Sequence, residues 1–158
     1  MKKITLLLYS LLLTGTMIFG QKQLNSFDEL MTALNSGKEV KMVMHYAKCQ
    51  MISDNEIEDK VPAAIGGMTI DVYEFFEKGA VRNDQAFVVF SESKLIRYPK
   101  GEGYVYNYVK VKITADNKVK ITAEYLNPVN FSVMMTENFF TTVNDTKNEG
   151  GVSLFSTE

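Results

Sequence analysis

Apolar positions along this chain change their spacing from element to element. Phe27, Leu30, Met31 and Leu34 recur at i, i+3, i+4 and i+7, the stripe of a short amphipathic helix. Ser26 with Glu29 forms a capping box before it. Asp28 and Glu29 suit the first turn, and Gly37 stands where a left-handed cap is needed. After Lys38 the period falls to two. Val40, Met42, Met44 and Tyr46 alternate with Glu39, Lys41, Val43 and His45, a strand with one buried face.

Residues 50–64 are polar and acidic without periodicity, which predicts a surface loop. Gly66 and Gly67 then open a strand over 68–76. Met68, Ile70, Val72 and Phe76 share one face, and Glu74 falls among them. Residues 86–90, AFVVF, are apolar on both faces and belong inside a sheet, with the opening helix as one cover. Residues 104–114 and 119–126 form a hairpin. A two-residue turn at Asp116-Asn117 would set Ile113 against Lys120. A loop over 116–118 pairs Ile113 with Ile121 and Lys110 with Glu124, and the hydrophobic face favours it. Shorter strands follow at 131–135, 139–143 and 152–155. The expected fold is mainly β (α+β): one N-terminal helix on a curled, mostly antiparallel sheet of about seven strands, with closure into a barrel as one way to hide its edges.

The ends of the pattern set the address. Lys2 and Lys3 precede a nearly unbroken apolar run from residue 4 to 13, and Gly20 is a small residue before Gln21, as in a secretory signal. We therefore expect a signal peptide over 1–20, one domain over 21–158, a secreted or periplasmic location and no membrane span after signal removal. Losing Lys2 and Lys3 takes the formal charge from −2 to −4, an acidic balance that argues against a nucleic-acid partner.

The stretch FDELMTALNSGKEVKMVMHYAKC resembles the opening of the VirK family, secreted or periplasmic proteins first named in plant-associated bacteria. GGMTIDVYEF, FVVFSESKLI and the closing GGVSLF resemble the family's middle and end. The resemblance implies a compartment, a fold and a host-interaction or virulence-associated role; it supplies no catalytic residues. Family members often hold a second cysteine near the C-terminal strands. Here NFFTTVND has Thr141 and Thr142 in that region, so the family's implied disulfide partner for Cys49 is missing.

Candidate chemistry is thin. His45 and Cys49 offer a thiol–imidazole pair for a thiol-dependent hydrolase. Four residues of extended chain separate them by roughly 13 Å, so the pair needs a turn at Ala47-Lys48. A lone cysteine is more often a small buried hydrophobe. The acidic run Asp54, Glu56, Glu58, Asp59 lacks the glycine and final glutamate of a calcium loop, and one histidine with one cysteine is too few ligands for zinc. We expect no metal and no cofactor.

Met42, Met44 and Met68 on inward faces fit either a core or an adaptable apolar pocket. Glu74 on an apolar face either lines a cavity or marks a register change. Tyr104, Tyr106 and Tyr108 share a face with Lys110 and Lys112, a stacking surface for oligosaccharide or a set of cross-strand pairs. Asn130 and Asn144 each begin an N-glycosylation pattern. The preferred reading is a non-enzymatic protein that binds a small apolar ligand or a protein partner.

Overall fold

The computed structural model describes residues 20–53 and 56–157; residues 1–19 of the expected signal segment and Asp54 of the acidic run lie outside them. Among the described residues the chain forms one α-helix and two antiparallel sheets. The strands are β1 (Gln21–Leu24), β2 (Val40–His45), β3 (Gln50–Ser53), β4 (Glu56–Ile57), β5 (Ile65–Thr69), β6 (Tyr73–Phe76), β7 (Phe87–Arg97), β8 (Tyr104–Thr114), β9 (Lys118–Leu126), β10 (Val133–Thr142) and β11 (Val152–Thr157). The small sheet runs β1-β11-β2-β5 and the large one β4-β3-β10-β9-β8-β7-β6. The mainly β expectation holds. The strands divide between two sheets, and neither closes into a barrel.

Helix α1 (Phe27–Asn35) forms because both ends are satisfied locally. The Glu29 N–H donates to Ser26 Oγ at 3.2 Å. Glu29 returns its carboxylate to the Asn25 N–H at 2.8 Å, one residue before the partner expected of a capping box. Gly37 takes φ +73, and its N–H donates to the Leu34 carbonyl at 3.0 Å. A third cap comes from across the chain: the Phe27 N–H donates to Asn117 Oδ1 at 2.7 Å.

One core joins the three layers. Leu30, Leu34, Val40, Met42, Leu154, Val88, Val111, Ile113, Ile121 and Phe139 are all buried in a single cluster. On the small sheet the buried face holds Met42, with Leu154 and Met68 as its register partners. On the large sheet it holds Phe90, Val111, Ile121 and Phe139, also partners in register. Alternation turns the next residue of each strand to the opposite, outer face.

Several boundaries differ from the sequence pattern. The expected strand over 68–76 is two strands in different sheets. The Ile70 N–H still donates to the Val40 carbonyl at 2.8 Å, then the chain crosses over and Val72 is left 79% exposed. The expected loop over 50–64 contains β3 and β4, which extend the large sheet beyond Phe139 and Phe140. The two short strands over 131–143 are the single β10, with a register shift between Val133 and Met135. β1 carries too few apolar residues to stand out in the sequence.

The β8–β9 hairpin has a three-residue loop, but it is Ala115 to Asn117, one residue earlier than expected. Ile113 therefore faces Val119, and Lys110 faces Thr122 instead of Glu124. The cause is Asn117, which takes the left-handed φ of +64 that closes such a turn. β7 lies one strand in from the edge, with Val88 and Phe90 in the core. Helix α1 shares that core through Leu30 and Leu34, and on the outer face Phe87 is covered by the Phe76 ring at 4.8 Å and by the Lys112 ammonium at 3.9 Å.

Candidate functional site

The outer face of the large sheet carries most of the exposed chemistry. Tyr104, Tyr106 and Tyr108 share it with Lys110 and Lys112, as period two requires. At one end, Leu95, Tyr106, Leu126 and Val133 are successive register partners across four strands. Leu95 is 55% exposed and Val133 55% exposed. Phe131 lies over this row, its ring stacked on Tyr106 with centroids 6.1 Å apart, yet still 65% exposed.

Phe131 holds a left-handed φ of +57, a conformation that costs a bulky residue energy and needs support from its surroundings. The loop supplies that support. The Phe131 N–H donates to the Asn127 carbonyl at 2.9 Å, and the Asn127 N–H donates to Ser132 O at 2.9 Å. Asn127 Oδ1 also accepts from the Val129 N–H at 2.8 Å.

Towards the other end the face becomes polar and then basic. Ser93, Tyr108 and Glu124 form one row, Ser91, Lys110 and Thr122 the next, and Val89, Lys112 and Lys120 the next. The ion pairs among the described residues are Glu39–Lys41, Glu92–Lys94 and Asp116–Lys118, so Lys110, Lys112 and Lys120 have no carboxylate within pairing distance there. Lys118, hydrogen-bonded to Asp116, and then the Thr114 hydroxyl hold the exposed Asp116 carboxyl well below the usual carboxylate range.

Glu74 is exposed on this outer face opposite Val89, not on the apolar face expected of it, because its strand belongs to the large sheet. It lines an open groove of about 300 Å³ with Val72, Val89, Ser91, Tyr108 and Lys110.

The methionines belong to the interior. Met42, Met44 and Met68 are buried in the common core. The cavity that adjoins Met44 and Met68 holds about 110 Å³, below the roughly 300 Å³ at which ordinary ligand pockets begin.

Cys49 and His45 are joined by the turn that the pairing needed, a 3-10 turn over Tyr46–Lys48, so the extended spacing assumed from the sequence does not hold. The thiol nevertheless meets the wrong atom. Cys49 Sγ lies 3.5 Å from the main-chain carbonyl oxygen of His45, while alternation along β2 turns the imidazole away from the face that holds Met42 and Met44.

Cys49 is buried. Burial pushes its thiol above the usual range, and a hydrogen bond with Thr141 offsets part of that, the opposite of what activates a nucleophile. Tyr46, whose ring meets Phe139 edge-on at 4.7 Å, is also pushed up, first by burial and then by Cys49 and Glu137. No group of His, Cys, Asp and Glu among the described residues could hold a metal ion. Phe131 was missed as a site residue, since a lone aromatic in a loop gives no periodic signal; its left-handed φ becomes visible only in the fold.

Comparison with known proteins places this architecture. The family model described as VirK protein matches residues 23–131. The chain belongs to the VirK family. The crystal structure of lpg1832, a VirK family protein from Legionella pneumophila, superposes with a TM-score of 0.64 at 18% identity, covering 84% of this chain and 98% of that one. At that identity the likeness carries the fold. No curated protein matches the chain. In this VirK domain no helix among the described residues is long and apolar enough to cross a membrane.

Proposed function

We propose that this chain is an exported, non-enzymatic binding protein, and that a partner protein docks on the outer face of its large sheet. The observation that carries this reading is the row Leu95–Tyr106–Leu126–Val133 with Phe131 held over it. Contiguous exposed apolar side chains of this kind mark interaction sites. A left-handed phenylalanine fixed by its own loop is pre-organised to insert into a partner, which lowers the ordering cost of binding.

Lys110, Lys112 and Lys120, two and three rows further along the same face and without a carboxylate in pairing distance among the described residues, favour a partner that carries carboxylates beyond its apolar patch. Export is supported by Lys2, Lys3 and the apolar run that follows. The geometry favours a protein over a sugar here, because the Phe131 ring already occupies one face of Tyr106. It favours a protein over a small apolar ligand because the methionines are packed in the core.

A photo-crosslinking residue at Tyr106, exposed to the extracellular fraction of the producing cells, is expected to give a discrete adduct, and the same residue at Lys41 on the small sheet none. Replacing Phe131 with Ser should weaken formation of that adduct by roughly thirtyfold, the loss expected for a hot-spot aromatic, with thermal stability maintained. Equal adducts from both positions, or an adduct indifferent to Phe131→Ser, would overturn the reading.

A further inference from the structure

β6 is much shorter than the strand it pairs with. It covers β7 only from Phe87 to Phe90, while β8 pairs with β7 along its whole length to Arg97. Residues 91–97 of β7 therefore have a free edge on the β6 side. The hydrogen-bond phase of that edge follows from its neighbours. The Ala115 N–H donates to the Ala86 carbonyl at 2.9 Å, so even-numbered residues of β7 are the ones bonded to β8. In an antiparallel strand both backbone groups of a residue point to the same side. Ser91, Ser93 and Leu95 thus turn their N–H and C=O groups outward, and none of these groups has a partner among the described residues. Lys94, a residue type that guards such edges elsewhere, faces the inner side and is tied to Glu92 at 2.9 Å.

We propose that the free edge of β7 takes an extended peptide segment of a partner protein as an added antiparallel strand. The step where β6 ends helps define that guest. The open groove of about 300 Å³ lined by Val72, Val89, Ser91, Tyr108 and Lys110 lies at this step, in line with a guest strand and able to take a large side chain. On the outer face, a guest residue opposite Leu95 would extend the apolar row by one strand. A residue opposite Arg97 meets a cation that has no ion pair among the described residues, so an acidic side chain fits there. Reading along an antiparallel guest, the order is acidic, any, apolar, any, aromatic, with the aromatic opposite Ser93 and leaning over the groove beside Tyr108. Main-chain pairing supplies the affinity and the alternate side chains the selectivity. The proposal shares Leu95 with the outer-face reading but rests on strand pairing, independently of Phe131.

The test uses the full chain with capped pentapeptides Glu-Thr-X-Thr-Phe, X being Val, Ile or Leu, and the same peptides N-methylated at alternate amides. The unmodified peptides are expected to slow hydrogen exchange at the Ser93 and Leu95 amides at least tenfold at saturation; the methylated ones are not. Ser93→Pro removes an N–H that the fold does not use, and proline is tolerated at strand edges. It should cut peptide affinity at least tenfold with little change in melting temperature, while Phe131→Ser leaves this binding intact. That last arm separates failure here from failure of the outer-face reading. No slowing at millimolar peptide overturns the proposal, as does equal slowing by the methylated set. Slowing that grows with protein concentration in the absence of peptide would make the occupant a second copy of this chain and also overturn it. Because exchange is read on the unaltered protein, the proposal is tested even if Ser93→Pro fails to fold.

Discussion

Thr141→Cys, oxidised, is expected to stabilise this protein by about 2–4 kcal/mol through a disulfide to Cys49. The register of β3 with β10 sets Phe140 opposite Gln50, which carries Thr141 opposite Cys49 at the next position. A β-carbon placed on Gly151 would lie 3.0 Å from Cys49 Sγ and 2.9 Å from Thr141 Oγ1, so the two side chains meet over the same glycine. Closing a loop of roughly ninety residues is worth about 4–5 kcal/mol in the chain-entropy account. Against this stand the bonds that Thr141 gives up: its hydroxyl accepts from the Gly151 N–H at 2.7 Å and reaches the Lys48 carbonyl at 3.3 Å. Losing them costs about 1–2 kcal/mol. For a domain of this size the net gain raises the melting temperature by about 5–15 °C. Melting curves with and without reductant check it; curves that coincide, with both thiols still titratable after oxidation, would show that the side chains do not meet.

Asn117→Ala should be among the most damaging changes at any half-exposed position, at about 2–4 kcal/mol. Three roles converge on this residue. Its φ of +64 closes the β8–β9 turn, and forcing alanine there costs about 1–2 kcal/mol. Its Oδ1 accepts the Phe27 N–H at 2.7 Å, and losing that hydrogen bond at a helix end that Ser26 still caps costs about 1 kcal/mol more. Its carbonyl accepts the Val143 N–H at 2.9 Å, a bond that any distortion of the turn puts at risk. Asn117→Gly keeps the turn and loses only the cap, so it should cost about half as much. Chemical denaturation of the two variants tests this ordering. Equal costs would mean that the turn conformation contributes little.

What could be read from the residues alone follows a physical line. Helix α1 was legible because Ser26, Glu29 and Gly37 act within a turn of the residues they cap. The faces of β8 and β9 were legible too, since Val111, Ile113, Val119 and Ile121 keep their period. Their register was not. Sliding one strand by two residues leaves every side chain on its original face, and only the backbone of Asn117 distinguishes the two pairings. The crossover at Ile70 and Val72 escaped for a related reason, because Met68 and Ile70 alternate correctly right up to the bend. β3 and β4 are too short for a period, and become strands only because β3 pairs with β10 at Phe139 and Phe140 and β4 pairs in turn with β3. Of the candidate residues, the tyrosine face was visible in the sequence. Phe131 and the free edge of β7 were not, since an isolated loop aromatic and a length mismatch between neighbours leave no pattern.

The small sheet also dictates an order of assembly. Its middle is β11, held between β1 and β2 by pairs such as Gln21 with Thr157 and Met44 with Val152. Each such pair closes about a hundred residues or more of intervening chain, whereas β7 to β10 are linked by short turns, and non-local pairing is slow. The meander should therefore form first and wait, with Val88, Val111 and Ile121 uncovered, until β11 arrives. Pulse-labelled hydrogen exchange during refolding should find the β8 and β9 amides protected before those of β11. A chain halted at that stage presents a sticky half-sandwich, the form that a holding chaperone would grip.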